Sequence, residues 1–280
     1  MVVNSPLISI VVAVFNNARD LRQCLASVEA QSFTSRELIV IDGGSTDGTV
    51  DIIRDRGDRI AYWESGSDRG VYDAWNKALP HTKGEWICFL GSDDRFHDDG
   101  VLGRMAPIIA GAHPQHGLVY GRLNITTRDG SLLETVVRPW PQLRRGFLAG
   151  TVMLPHTGAF HHRSLFDTYG AFDPAYRIAG DYDFLLRALK TGNALYIDGE
   201  VVVDMCAGGM SSSPRNMYLS LREIARARAK NGVTAPSPLL TMRRFMALAG
   251  LAVLRVCGPR ALDALADAYR FSRRYLGRRP

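Results

Sequence analysis

Leu7–Val14 reads LISIVVAV, and Glu37–Thr49 reads ELIVIDGGSTDGT. The first is a near-continuous β-branched run, the pattern of a parallel strand buried on both faces rather than of an alternating edge strand. Asn16-Asn17 stops it. Between the two runs Leu21, Leu25 and Val28 recur at helical spacing and predict a helix from about Ala18 to Ala30. With a second buried strand over Glu37–Ile41, this is a βαβ unit. The alternation continues with a helix from about Thr46 to Asp55, a short strand near Ile60–Trp63, a helix over Val71–Leu79 and a strand over Trp86–Leu90. That order predicts an α/β fold with a mainly parallel sheet, helices on both faces, and ligands at the carboxyl ends of the strands.

After about Leu118 the rhythm changes to short extended segments, Leu118–Ile125 and Leu132–Val137, followed by Pro139-Trp140-Pro141. A helix over Tyr182–Lys190, strands near Leu195–Ile197 and Val201–Met205, and helices after Asn216 complete the chain. With 280 residues, 46% of them apolar, it has material for one large core, or for one core and a small appendage. Cys24, Cys88, Cys206 and Cys257 lack CxxC spacing and sit among apolar neighbours, so they are expected to be buried free thiols. The first residues carry no basic, long apolar leader, and a cytoplasmic location is expected.

Charge divides the chain. From Arg215 onward there are 14 basic residues against three acidic ones, a local net charge of +11, whereas the first 214 residues carry a net −5. An acidic body with a basic tail suits an enzyme that uses cations and works near an anionic surface.

Three groups of residues carry chemistry. Asp42 ends the second strand and runs into Gly43-Gly44-Ser45, where a carboxylate and close-approaching backbone fit recognition of a nucleoside. The turn contains neither GxxxxGK[ST] nor GxGxxG, and ordinary turn chemistry also accommodates it. Asp93-Asp94 close the strand Trp86–Leu90. Two adjacent carboxylates repel, and a divalent cation such as Mg²⁺ or Mn²⁺ neutralises them and bridges to a diphosphate; an acidic turn capping the next helix is the alternative. Asp181, in Ala179-Gly180-Asp181-Tyr182-Asp183-Phe184, reads as the N-cap of an apolar-faced helix, where a fixed carboxylate can also accept a proton from a hydroxyl. Arg69 is a candidate for diphosphate or base contact, and Asn76 shares a helix face with Tyr72.

In order, these motifs (a buried first strand ending near Asn16, a DGGSTDGT turn, a helix containing DAWN before a GEW strand, an xDD turn, and a later GDYDF) resemble the inverting family 2 glycosyltransferases with a GT-A-type fold. The likeness covers roughly Ile8–Asp204 and is greatest to small bacterial members that build cell-surface polysaccharides and glycolipids. It implies that residues 1–214 form the catalytic domain, with nucleotide-sugar binding over about 1–115 and an acceptor part over about 116–214, and that 215–280 form a basic helical extension. It also implies that Ala13, Val14, Asp42 and Arg69 hold the nucleotide-sugar. Asp93 and Asp94 hold the metal and diphosphate, and Asp181 is the catalytic base. Where many members carry an aspartate, this chain has Gly91, which leaves open which carboxylate ligates the metal. The implied partners are a nucleoside-diphosphate sugar and a glycan or lipid-linked acceptor, with no nucleic acid. A sugar nucleotidyltransferase and a non-catalytic carbohydrate-binding protein are the rival classes; the former would need a glycine-rich basic loop that Asn16-Asn17-Ala18 does not supply.

Three features stand outside that scheme. His156, His161 and His162 suit structural or acceptor-contact roles better than a metal site. Gly208-Gly209-Met210-Ser211 reads as a mobile loop near the donor. Phe245–Leu254 is uncharged but too short to span a bilayer, and Leu262, Leu265, Ala266, Tyr269 and Leu276 fall at helical spacing among arginines, a pattern that suits the anionic inner face of a membrane; helices packed on the catalytic body with solvated arginines are the alternative.

Overall fold

The computed structural model describes residues 6–209 and 213–257. The first strands and helices follow the expected order: β1 Ile8–Val14, α1 Ala18–Glu29, β2 Arg36–Asp42, α2 Thr49–Arg54, β3 Tyr62–Ser65, α3 Val71–Ala78 and β4 Trp86–Gly91. Then come β5 Arg95–Phe96, α4 Val101–Ala110, β6 Leu118–Thr126, β7 Leu132–Val136, α5 Trp140–Leu148, β8 Phe160–His162 and α6 Ser164–Tyr169. The described chain ends with α7 Gly180–Leu189, β9 Ala194–Cys206, α8 Pro214–Lys230 and α9 Pro238–Cys257.

All nine strands join one sheet in the order β3-β2-β1-β4-β8-β6-β9-β5, with β7 on the edge of β6. The neighbours β3, β2, β1 and β4 are parallel. The second half is mixed, since β8 runs antiparallel to both β4 and β6 whereas β9 runs parallel to β6. Strand alternation divides β1 between two cores. Ile8, Ile10, Val12 and Val14 pack against Leu21, Cys24, Leu25 and Val28 of α1 and against α2 and α4, while Val11 faces the core shared by α3, α5, α7 and α8. Helices on both faces explain why this strand is apolar at nearly every position.

Register then fixes the working edge. Ala13 pairs with Ile41 on one side and Gly91 on the other, Val14 pairs with Asp42, and Asp42 pairs with Ser65. The carboxyl ends of four parallel strands therefore finish side by side.

Several expectations change. The two short strands near 195–197 and 201–205 are one irregular strand, β9, whose pairing with β6 shifts register on both sides of Arg122. An additional helix, α5, follows Pro139, and Pro141 occupies its first turn, where a missing N–H costs nothing. Helix α7 begins at Gly180, with Ala179 in the cap position, so Asp181 lies in the first turn and is not the N-cap. Helix α8 packs Ile224 and Ala227, and α9 packs Leu240, into the same core as α7. Cys24 and Cys88 are buried thiols, whereas Cys206 is half-exposed. Among the described residues no helix is long and apolar enough to cross a membrane. The stretch Leu262–Leu276 lies outside the described residues, as do Met210 and Ser211.

Candidate active site

The edge formed by β1, β2 and β3 presents Asp42. Its Oδ2 accepts hydrogen bonds from the N–H groups of Gly44 and Ser45 at 3.1 and 3.0 Å and from the Ser65 hydroxyl at 2.6 Å. The carboxylate is fully buried, and Oδ1 has no partner among the described residues. A buried, unpaired carboxylate oxygen is costly unless a ligand N–H or O–H meets it. The ring of Phe15, 63% exposed, leans over Gly43: a Cβ there would come within 3.3 Å of it and 2.8 Å of Asp68 Oδ2.

Side chains lock the loops around this corner. Asn16, at φ 48°, accepts from the Thr46 N–H through Oδ1 and donates its own N–H to the Ser45 hydroxyl. Asp47 binds the N–H of Ala18 and both the N–H and hydroxyl of Thr49. These bonds hold residues 46–48 outside the helix, which is why α2 starts at Thr49 rather than Thr46. Asn17 Nδ2 donates to the Ser92 hydroxyl at 3.1 Å, tying the first loop to the turn that carries Asp93 and Asp94.

Asp94 is 6% exposed. The Thr157 hydroxyl donates to its Oδ2 at 2.8 Å and the Cys206 N–H to its Oδ1 at 3.1 Å. Burial and then the neighbouring Asp93 push its carboxyl up to about 7. Burial also raises Asp93. Among the described residues neither makes an ion pair with Lys or Arg, and no group of three His, Cys, Asp or Glu side chains forms a ready metal cage. The pair offers hard oxygen donors and excess negative charge, which fits a divalent cation completing its shell with phosphate and water oxygens. A Cβ on Gly91 would sit 2.6 Å from Asp94 Oδ2 and 3.1 Å from Asp93 Oδ1, so the glycine leaves these two carboxylates their room.

Asp93 and Asp94 line an open cleft of about 440 Å³ whose walls include Tyr72, Arg177, Ile178, Cys206 and Gly208. Tyr72 links the cleft to Asp181: its hydroxyl lies 3.1 Å from Asp181 Oδ1 and donates to the Ile178 carbonyl at 2.6 Å. The Tyr182 N–H also donates to Asp181 Oδ1, at 2.8 Å. Burial, outweighing these bonds, raises the Asp181 carboxyl to about 6. Gly180 is required beside it, because a Cβ would meet the Tyr72 ring at 2.7 Å. The cleft therefore has a carboxylate pair suited to a cation on its wall and, behind Tyr72, a carboxylate of raised pKa.

Residues 9–169 match the family described as Glycosyl transferase family 2. The chain belongs to that family. A PGL/p-HBAD biosynthesis glycosyltransferase of Mycobacterium bovis (strain BCG / Pasteur 1173P2) is 34% identical over 190 residues, covering 66% of this chain and 71% of the relative. In fold, the chain resembles the mannosyltransferase PcManGT from Pyrobaculum calidifontis, solved with GDP-Man and Mn²⁺ (TM-score 0.65, 18% identity, 97% of this chain and 81% of that one). It also resembles residues 1–349 of S. aureus TarS in complex with UDP-GlcNAc (TM-score 0.64, 20% identity, 92% and 83%). The sheet and its flanking helices are those of a GT-A-type glycosyltransferase.

Within this family 2 glycosyltransferase the anticipated residues divide. Val14 pairs with Asp42, and Ala13 pairs with Gly91, the last residue of β4, two residues before Asp93. Arg69 stands apart: it is 71% exposed and paired with Asp73 at 2.7 Å, one turn along α3. Asn76 is a structural pin, exchanging hydrogen bonds with the backbone of Phe172 at 2.8 and 3.0 Å. His156 stacks on Trp75 and Phe89, and His161 packs against Phe89 and Phe184; burial drives His156 well below its usual range and His161 down to about 4, so both are neutral packing groups. Residues not anticipated from sequence are Phe15, Tyr72, Thr157, Arg177 and Cys206. Only Phe15, an aromatic just past a buried strand, left a local trace.

Proposed function

We propose that this chain is an inverting, metal-dependent glycosyltransferase moving a sugar from a nucleoside diphosphate onto a hydroxyl of a glycolipid or polysaccharide precursor. The observation that carries the reading is Asp181, a carboxylate of raised pKa held by Tyr72 beside the cleft that Asp93 and Asp94 line. Near pH 7 it is largely ionised yet basic enough to accept a proton. Asp181 takes the proton of the acceptor hydroxyl as that oxygen bonds to the anomeric carbon. The glycosyl C–O bond to the diphosphate breaks, and the nucleoside diphosphate leaves with the electron pair. Alignment of acceptor, carbon and leaving group in one cleft supplies the in-line geometry.

Ala13, Val14 and Asp42 hold the nucleoside, with Asp42 Oδ1 accepting from the base or ribose and Phe15 stacking on the base. When bound at Asp93 and Asp94, Mg²⁺ or Mn²⁺ would supply positive charge to the departing diphosphate. Arg177 opens onto the same cleft and adds a cation there, a role Arg69 is too committed to Asp73 to fill. Arg177→Ala is expected to raise KM for the donor about tenfold, the loss of one charge-assisted contact, with little change in kcat.

The glycolipid assignment draws on the relative named for PGL/p-HBAD biosynthesis, and with it goes a place at the cytoplasmic face of a membrane. Helix α9 turns Met242, Phe245, Met246 and Leu248 outward, Phe245 being 73% exposed, while Leu240 and Ala247 face the core. The helix has no acidic residue and carries Arg243, Arg244 and Arg255. An apolar face with arginines suits anionic lipid. Phe245→Ser/Met246→Ser should reduce sedimentation of the full chain with anionic vesicles; unchanged sedimentation would remove the membrane from the reading.

Calorimetry with uridine and guanosine diphosphates, with and without Mn²⁺, tests the donor site, and nucleoside diphosphate released from a panel of nucleotide-sugars tests transfer. Metal-stimulated binding and release of one nucleoside diphosphate are expected. No binding under any condition would defeat the proposal.

A further inference from the structure

Helix α8 reaches back into the catalytic body with a buried carboxylate that the reaction as described does not use. Glu223 Oε1 accepts the Arg177 N–H at 2.9 Å, and Oε2 accepts those of Ile178 and Ala179, each at 2.9 Å. Three consecutive backbone N–H groups converge on one side chain that is only 6% exposed. This tripeptide leads directly into α7. Its first residue turns Arg177 to the cleft, its second offers the carbonyl bound by Tyr72, and its third caps the helix that begins with Gly180 and Asp181. The loop is thus held from both sides, by Glu223 through its N–H groups and by Tyr72 through the Ile178 carbonyl. Buried backbone donors need partners, but a neutral acceptor on each would satisfy that need. A single carboxylate does more, because its negative charge acts on Asp181.

We infer that Glu223 is a positioning residue for the transfer reaction: by fixing the 177–179 strap that leads into α7, it sets where Asp181 stands relative to the cleft. The inference rests on Asp181 being the base. Two groups touch Asp181, the Tyr72 hydroxyl from α3 and the N–H of Tyr182 on its own helix; the charge of Glu223 on α8 also acts to raise its carboxyl, less than burial does. Removing that charge should therefore move the acidic limb of the pH profile to lower pH, which the loss of a neutral strut would not do.

The test is kcat/KM against pH for the full chain at saturating Mn²⁺, with nucleoside diphosphate affinity measured in parallel. Glu223→Gln is expected to lower kcat about tenfold through misplacement of the base, to move the acidic limb to lower pH and to leave nucleoside diphosphate affinity within about twofold of the parent. Tyr72→Phe, which keeps the ring packed against Gly180 but frees the Ile178 carbonyl, is expected to lower kcat with nucleoside diphosphate affinity unchanged. Glu223→Asp keeps the charge but shortens the reach, so it should lose kcat while its limb stays near that of the parent. Parent-like kcat and an unmoved limb in Glu223→Gln would overturn the inference, provided Asp181→Asn is inactive. If Asp181→Asn is itself active, the base assignment falls instead. Should Glu223→Gln fail to fold, the other two variants decide: full kcat in Tyr72→Phe or in Glu223→Asp overturns it.

Discussion

The two halves of the site are held by different means. The corner proposed for the nucleoside is held by strand register, since Ala13, Ile41 and Gly91 lie in one row and Val14, Asp42 and Ser65 in the next, fixed by backbone pairing within a doubly covered sheet. The side proposed for proton transfer is held by isolated side-chain ties across long stretches of sequence: Tyr72 to Asp181, Glu223 to residues 177–179, Thr157 and Cys206 to Asp94. A row of ladder bonds tolerates the loss of any one side chain. A tie does not, so single substitutions should damage catalysis on one side and only weaken binding on the other.

Asp94 belongs to both halves, sitting at a strand end yet held by ties, and the largest effect is expected there. Asp94→Asn should lower kcat about a thousandfold, because a metal's stabilisation of the leaving group supplies several kcal/mol and each 1.36 kcal/mol is tenfold. Added Mn²⁺ should not restore it. Asp42→Asn tests the ladder side: donor affinity should fall about ten- to thirtyfold in calorimetry, the worth of one hydrogen bond to a charged group, while kcat at saturating donor changes little. Comparable losses in kcat for both variants would break the contrast. Gly180→Ala tests the tie side, since its Cβ would collide with the Tyr72 ring. About a tenfold loss in kcat with unchanged nucleotide affinity is expected, and the reverse pattern would count against the division.

The smallest effect is thermodynamic. Burial raises Asp94 from 3.8 to about 7 and Asp181 to about 6, so both carboxyls hold their protons to higher pH in the folded chain than in the unfolded one. A carboxyl raised on folding stabilises the fold below its unfolded value and loses that contribution as pH rises through the folded value. Metal-free protein should therefore lose thermal stability between about pH 4 and pH 7 on account of these groups. Mn²⁺ should raise Tm by a few degrees at pH 8 and hardly at pH 5, where Asp94 holds its proton. Equal shifts at both pH values would indicate that the ion binds elsewhere.

The same division explains what could be read from sequence. Buried parallel strands announce themselves locally, through LISIVVAV and ELIVI, and residues at their ends inherit a position from them. That is how the places of Asp42, Asp93 and Asp94 at strand ends can be read from sequence. Asp181 reads as a cap but stands in the first turn of α7, because a carboxylate in the first turn and one at the cap share the same sequence signature. Strand β9 was read as two pieces because Gly199 interrupts its apolar pattern, and α5 was missed because Pro141 resembles a breaker when it stands in a first turn. The pairing of Arg69 with Asp73 has a local sign, since Asp73 stands four residues later. Thr157, Arg177, Cys206 and Glu223 owe their places to tertiary folding and have no local signal.

The most direct measurement is single-turnover transfer by Asp181→Asn, with donor affinity followed on the same sample. The amide keeps the shape of the side chain and its place near Tyr72 but cannot take up a proton. Transfer should fall at least a thousandfold at every pH while nucleoside diphosphate binding in Mn²⁺ stays within about twofold of the parent. Transfer at the parental rate would contradict the assignment of Asp181 as the base.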